Sequence, residues 1–388
     1  MKLAIVSSIN GHGNILQEVG TGLTILAERS EEIDSVEVLT WKRDLNESIS
    51  FSSKVNIIET YDPKKSLSIL KLLFSIKHQD DMVVLYNLMP TAYGNSNFAN
   101  LVGLLNPLFN KIVFKNKVLV LYHNSTFTND FKKLGYNGMI NFFKSKVIYL
   151  LETILFEHIT VLTLNDYYPV KIKNKLPNSK VEFMEIPFFP VLGSLYLNNM
   201  TNLKSINSSN NGITKILLFG YWGPQKDLFP ILDNLKKLRE NGDLFELIIA
   251  GEVNPHFPKY LELFNKKMRE YSDIIDQRKE FVAEKDLFSL FLSVDLVLIS
   301  YTSPGGFSSV LSYAMFFKKY ILISDFPEFR NQAKDYNKIV FFTRENFCGS
   351  LSSIIKLINN EQRNNQIIIS DRIKSMSEKF TYALNRKT

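Results

Sequence analysis

Short β-branched runs alternate with helix-like stretches twice along this chain, and no other feature restricts its fold as strongly. The first series is Leu3 to Ser7, Val36 to Thr40, Met82 to Tyr86, Val118 to Tyr122 and Ile159 to Leu164, with helical periodicity between at Ile15 to Glu28 and Leu67 to Ile76. The second is Ile216 to Phe219, Glu246 to Ala250, Asp295 to Ile299 and Tyr320 to Ser324, with helical stretches at Leu228 to Glu240, Lys259 to Tyr271, Leu287 to Leu292 and Ser309 to Phe317. A strand followed by a helix and another strand is joined in parallel, and a parallel strand covered on both faces reads as a continuous apolar run. Each series therefore predicts a parallel sheet wrapped by crossover helices. The expectation is an α/β protein of two doubly wound, Rossmann-like domains facing across a cleft at the carboxyl ends of their strands, where open α/β sheets place ligands.

The division points follow from composition. Ser and Asn dominate around SINSSNNG, which suits a linker at 191–212 between an amino-terminal domain at 1–190 and a second domain at 213–360. The tail, 361–388, has helical periodicity and is expected to pack back on the first domain. A length of 388 residues with 45% hydrophobic content supports two cores. One cysteine, Cys348, excludes a disulfide framework or a thiolate metal cluster and fits a reducing cytoplasm. The opening MKLAIVSSINGHGN reads as a first strand ending in a glycine turn, not as a signal peptide. Glu152 and Glu157 interrupt the most apolar stretch, so a spanning helix is not expected.

The net charge of +7 is unevenly placed. Over residues 1–99 acids outnumber Lys and Arg by 12 to 9, whereas over 100–185 the bases lead by 11 to 6, interleaved with Phe109, Phe114, Phe127, Phe131, Tyr136, Phe142, Phe143 and Tyr149. Such a stretch reads as attraction to anionic lipid headgroups, phosphate-bearing acceptors or nucleic acid, or as an ordinary lysine-rich solvated surface. His78, His158 and His256 show no metal-ligand spacing, and no metal or cofactor is expected. No serine nucleophile elbow, Walker loop or paired acidic motif occurs, and Gly11-His12-Gly13 lacks the third glycine of a dinucleotide fingerprint.

The segment from Leu296 to Asp325 (LVLISYTSPGGFSSVLSYAMFFKKYILISD) is a strand, a glycine turn, a helix and a strand in succession. Such a turn offers backbone N–H groups and the positive end of a helix to a diphosphate. With three further segments in order, it resembles the donor domain of GT-B glycosyltransferases, in particular the large retaining family of glycogen and sucrose synthases and many mannosyl and glucosyl transferases. Those segments are Ile216 to Asp227 (ILLFGYWGPQKD), Glu246 to Gly251 (ELIIAG) and Phe281 to Ser300, which carries Val294-Asp295-Leu296. Over the first half the resemblance is thinner: Gly11-His12-Gly13 after the first strand, Leu119 to His123, and Ile186-Pro187 before the hinge.

The resemblance implies transfer of a sugar from a nucleoside diphosphate sugar to a glycan or lipid-linked acceptor, with no nucleic acid partner. Lys226 and His123 take the catalytic positions. Gly11, His12, Gly13, Gly220, Tyr221, Lys226, Gly305, Gly306, Phe307, Ser308 and Ser309 would line the diphosphate site, and Tyr313 would offer a hydroxyl to the ribose. A histidine at a strand end is also a common capped terminus, and Lys226 on its residue type alone reads as an exposed helix-start lysine. The chain departs from the family where it matters chemically. The two glutamates, separated by seven intervening residues, are replaced by Gly305 and Tyr313, and Tyr221 stands where an arginine is expected. A catalytically silent GT-B protein that binds a partner transferase or a glycan is the alternative, and a sugar-nucleotide epimerase has no specific residue in its favour. The basic and aromatic stretch at 109–149 then reads as a contact with an anionic membrane, placing a cytoplasmic protein peripherally at the inner membrane face, with the helix around Tyr136 to Tyr149 at the interface.

Overall fold

The computed structural model describes residues 1–9, 15–41, 51–90, 93, 96–123, 125–128, 139–184, 213–226, 228–254, 257–282, 284–303, 306–360, 380–382 and 384–385. These form two compact units, one from residues 1–184 with the tail residues 380–385 and the other from residues 213–360.

The first unit runs β1 (Lys2–Val6), α1 (Ile15–Arg29), β2 (Ser35–Trp41), β3 (Val55–Tyr61), α2 (Leu70–Ser75), β4 (Met82–Leu88), α3 (Asn97–Val113), β5 (Lys117–Tyr122), α4 (Met139–His158), β6 (Thr160–Thr163), α5 (Tyr167–Lys173) and β7 (Val181–Phe183). Its seven strands lie in the order β3-β2-β1-β4-β5-β6-β7. Every pairing is parallel. β4 (MVVLYNL) is buried at every position, as a central strand covered on both faces must be. The order reverses between β1 and β4, with Val6 opposite Tyr86.

The second unit runs β8 (Thr214–Phe219), α6 (Leu228–Glu240), β9 (Phe245–Ala250), α7 (Pro258–Glu270), β10 (Gln277–Lys279), α8 (Glu284–Leu292), β11 (Leu296–Ile299), α9 (Ser309–Phe316), β12 (Tyr320–Ser324), α10 (Pro327–Gln332), β13 (Ile339–Phe342) and α11 (Phe347–Asn360). Six parallel strands take the order β10-β9-β8-β11-β12-β13, so this sheet reverses between β8 and β11. Each unit has its own apolar core, one around Val84, Val120, Leu155 and Phe156, the other around Leu218, Leu247, Leu298 and Leu322.

Both sheets are wider than the alternating runs alone imply. β3, β7, β10 and β13 add edges that the two series omit, and α3 fills the connection from β4 to β5. The tail residues pack on the first unit: Phe380 and Leu384 are buried, and Ser30 Oγ and Thr381 Oγ1 share a hydrogen bond of 2.6 Å. No helix among the described residues is long and apolar enough to cross a membrane.

Candidate functional site

In the second unit the residues of interest gather where the sheet order reverses. The chain leaves β8 through Gly220, whose φ of +136° is open to glycine and strained for other residues. Its N–H donates to the Ala250 carbonyl (3.1 Å) and Trp222 N–H to the Glu252 carbonyl (2.8 Å), so the turn after β8 runs beside the turn after β9. A tight turn closed by Lys226 N–H on the Gly223 carbonyl (2.9 Å) then brings the lysine back over the strand end. Thr302 N–H on the Gln225 carbonyl (2.9 Å) ties this turn to the loop after β11.

Lys226 is 9% exposed, which is unusual for a lysine. Its ammonium donates to the Phe219 carbonyl (3.2 Å) and lies over two aromatic rings, Trp222 at 5.1 Å and Tyr301 at 5.2 Å. Among the described residues no carboxylate pairs with it. A Cβ placed on Gly220 would lie 2.3 Å from the ammonium and 3.6 Å from Val310 Cγ2, which fixes the glycine, the lysine and the start of α9 as neighbours. The close approach makes Gly220 as necessary as its dihedral angle does.

The amino terminus of α9 is built for order. Gly306 has φ +111°, and Ser308 caps the helix by accepting from Leu311 N–H at 3.3 Å. Gln332 on α10 holds that cap from both sides, accepting from Ser308 N–H (2.9 Å) and donating to the Ser308 carbonyl (2.8 Å) and Ser312 Oγ (2.9 Å). Ser309 and Phe307 are partly exposed beside it. Tyr313 is placed differently from a ribose contact: it is 2% exposed, with its ring against Phe288 and Phe291. It anchors α9 on α8, a core role that follows from the helix being apolar on nearly every face. Tyr221 is 39% exposed, and burial of its remainder beside Glu252 raises its phenol above the ordinary range. Gly305 lies outside the described residues, as do Gly11, His12 and Gly13.

The first unit has a polar chain at its own reversal point. His123, just beyond β5, is 6% exposed; its N–H donates to the Leu88 carbonyl (2.9 Å) and Nε2 lies 2.7 Å from Asn87 Oδ1. Asn87 Nδ2 donates to Ser7 Oγ (2.8 Å), so its amide oxygen faces the imidazole and Nε2 carries the proton. Nδ1 is then the ring's acceptor. Burial lowers the imidazole pKa to about 4, so the ring is neutral at pH 7.

Glu152 on α4 fixes the segment after His123. Tyr122 Oη (2.7 Å), Ser125 Oγ (3.1 Å), Thr126 N–H (2.9 and 3.1 Å) and Thr126 Oγ1 all donate to its carboxylate, which is fully buried. Burial pushes this carboxyl up to about 7 against the four donors. Sequence reading gave no site role to Glu152, Asn87, Trp222 and Tyr301; Glu152, one of two glutamates interrupting an apolar helix, is the one among them that carried a signal.

The basic stretch divides. Lys111 donates to the His158 carbonyl (2.7 Å), Lys171 to Thr128 (2.9 Å) and Lys175 to Phe127 (3.0 Å), so these three satisfy backbone carbonyls. Lys144 and Lys146 are exposed on α4 among exposed Phe142, Phe143, Val147, Tyr149 and Leu150. No group of three or more His, Cys, Asp or Glu side chains among the described residues is arranged to hold a metal ion.

Neither protein-family models nor curated protein sequences match the chain. Solved structures do. HepE of Anabaena, in complex with UDP and glucose, superposes with TM-score 0.60 at 12% identity, over 100% of this chain and 95% of that one. Sucrose-phosphate synthase of Thermosynechococcus elongatus gives 0.62 at 13%, over 100% and 94%. The UDP-forming trehalose-phosphate synthase of Burkholderia xenovorans, in complex with glucose-6-phosphate, gives 0.63 at 8%, over 100% and 97%. With two wholly parallel sheets and these full-length likenesses, the chain has the two-domain Rossmann-like fold of the GT-B glycosyltransferases.

Proposed function

We infer that this protein transfers a sugar from a nucleoside diphosphate sugar to a hydroxyl-bearing acceptor, a glycan or a lipid-linked sugar. One observation carries the reading: a buried lysine at the reversal point of a parallel sheet, walled by two aromatic rings, beside a capped helix start, with no carboxylate to neutralise it among the described residues. Burying an ammonium is costly unless an anion joins it, and a diphosphate supplies that charge. UDP is the first ligand to test, because HepE holds UDP and UDP-glucose.

Transfer breaks the bond between the anomeric carbon and a diphosphate oxygen, and the bond pair leaves with that oxygen. Lys226 Nζ and the N–H groups opening α9 would stabilise the growing negative charge. The acceptor oxygen forms the new bond to the anomeric carbon and gives up its proton to the departing diphosphate oxygen. His123, neutral and with Nδ1 as acceptor, suits a hydrogen bond from a sugar hydroxyl in place of an ion pair. Gly305 and Tyr313 supply no carboxylate to the sugar, so on this reading the donor is held chiefly through its diphosphate.

The acceptor side of the proposal includes an anionic membrane. The first half of α4 presents aromatic and aliphatic side chains with Lys144 and Lys146 among them, which matches an interfacial helix. Titration calorimetry with UDP, GDP and ADP, followed by hydrolysis assays with the matching sugar nucleotides, tests the central reading. Binding of one nucleotide with turnover of its sugar derivative is the expected result. Binding without turnover on any donor would favour a silent GT-B protein, and no nucleotide binding would sink the proposal.

A further inference from the structure

Three helices of the first unit form one layer. α2, α3 and α4 each lead from one strand to the next in the direction from β3 toward β6, and right-handed crossovers then set all three on the same face of the sheet. Their inner sides agree: Leu72 of α2, Leu104 of α3 and Leu155 of α4 share one core with the alternate strand residues Ala4, Val84 and Val120. α3 lies between the other two. Its Phe109 ring meets Phe74 at 5.7 Å, and its Lys111 donates to the His158 carbonyl at the end of α4 (2.7 Å).

The outer side of this layer is apolar. Leu67, Leu70 and Phe74 recur at helical spacing along the 3-10 turn Ser66–Ile69 and α2, as do Phe98, Leu101 and Ile112 along α3. All six are exposed, Leu67 and Ile112 at 72%. With Phe143 and Val147 of α4 they extend across all three helices. Exposed apolar residues scattered singly are ordinary, whereas a set gathered on adjoining helices marks an interaction surface.

Charge identifies the partner. Residues 66–75, 97–113 and 139–151 contain no aspartate or glutamate, in a chain that has 39, and carry Lys71, Lys111, Lys144 and Lys146, all exposed. An ordinary surface helix looks different: on α7 the exposed Leu261 and Leu263 stand among Glu262, Lys266, Lys267 and Glu270, with Lys267 paired to Glu270 at 2.7 Å. A second copy of the acid-free layer would set lysines against lysines. Anionic lipid head groups supply the opposite charge, and the acyl boundary takes the apolar side chains.

We propose that α2, α3 and α4 together form a membrane-binding face on which the first unit lies flat, its three helix axes in the plane of an anionic bilayer. The partner rests on the membrane reading of α4, and α2 and α3 set the extent and orientation of the contact. The strand ends that carry Asn87 and His123 then open along the membrane surface, not into it.

The test places a bimane label at Leu67→Cys, Ile112→Cys or Phe143→Cys, each in the full chain with Cys348→Ala, and adds phosphatidylglycerol vesicles holding a doxyl-labelled lipid. Quenching at all three positions is the expected result. Leu67→Glu with Ile112→Glu, which leaves α4 untouched, should reduce sedimentation with unlabelled vesicles by more than about tenfold, with an unaltered thermal transition and unaltered UDP binding. Quenching at Phe143→Cys alone, or full sedimentation of the double variant, overturns the three-helix face and leaves the α4 contact standing. Quenching at none overturns both. Dimers of the unlabelled chain in sedimentation velocity that the double variant abolishes would assign the face to a second copy and overturn the proposal. Loss of UDP binding by the parent chain bears on the donor reading alone.

Discussion

Lys226 shows how a residue is legible in sequence and its meaning is not. The run from Ile216 to Asp227 marks it, but the rings of Trp222 and Tyr301 that enclose it come together only after folding, Tyr301 from the loop after β11, far along the chain. Lys226→Ala is expected to weaken UDP binding by about 1.5–3 kcal/mol, the worth of a charge-assisted bond, and unchanged affinity by calorimetry would remove the residue from the site. Gly220→Ala should be at least as damaging, since its new methyl group must displace the same ammonium and occupy a φ of +136°. Glu152 and His123 give a pH signature. Glu152 titrates near 7 folded against 4.5 ordinarily, so its stabilising contribution is full below about pH 4.5 and is lost as pH rises through 7. His123 titrates near 4 folded against 6.5, so its contribution is present above about pH 6.5 and is lost as pH falls through 4. Over the shared window the two oppose each other, each by about 3 kcal/mol at most. Glu152→Gln should therefore uncover a stability that rises from pH 4 to 6.5. Urea denaturation across that range measures it, and an unaltered slope would show that Glu152 does not titrate there.

At the scale of elements, central strands were readable and edges were not. β4 and β11 are continuous apolar runs because both faces are covered, whereas β10 (Gln277–Lys279) is three polar residues at a sheet edge with no pattern to detect. β3 (VNIIETY) carries a β-branched run, a signal that could have placed Tyr61 at the end of a strand, but its half-exposed burial blurs the alternation. α4 mixes two roles on one helix: its second half buries Glu152, Leu155 and Phe156, and its first half exposes Phe142, Phe143 and Val147. Composition cannot separate core from surface on such a helix. If the exposed half meets an anionic membrane, Lys144→Glu with Lys146→Glu should reduce sedimentation with phosphatidylglycerol vesicles by more than about tenfold and leave UDP binding unchanged, since each lysine near such a surface contributes about 1 kcal/mol. Equal sedimentation of the variant would remove the membrane from the proposal.

For the whole molecule, the tail links the two ends of the chain to one unit. Phe380, Thr381 and Leu384 are buried on the first unit, and Asn385 Nδ2 donates to Glu32 Oε2 at 2.6 Å. Truncation before residue 380 should cost that unit about 3–5 kcal/mol of apolar burial, visible as a lowered transition in calorimetry, while a transition shifted upward by UDP should stay where it is. A downward shift of the UDP-sensitive transition instead would show that the tail supports the second unit. Sequence by itself determined the two α/β series, their parallel sheets and the lysine and glycine turn of the second, because strand burial and helix periodicity are local patterns. Tertiary structure alone decided that Tyr313 belongs to the core, that three of the lysines serve backbone carbonyls, and that α2, α3 and α4 share one face of a sheet. Those facts depend on which distant segments meet across a sheet, and strand order is set by packing across the sheet, which no local run of residues records.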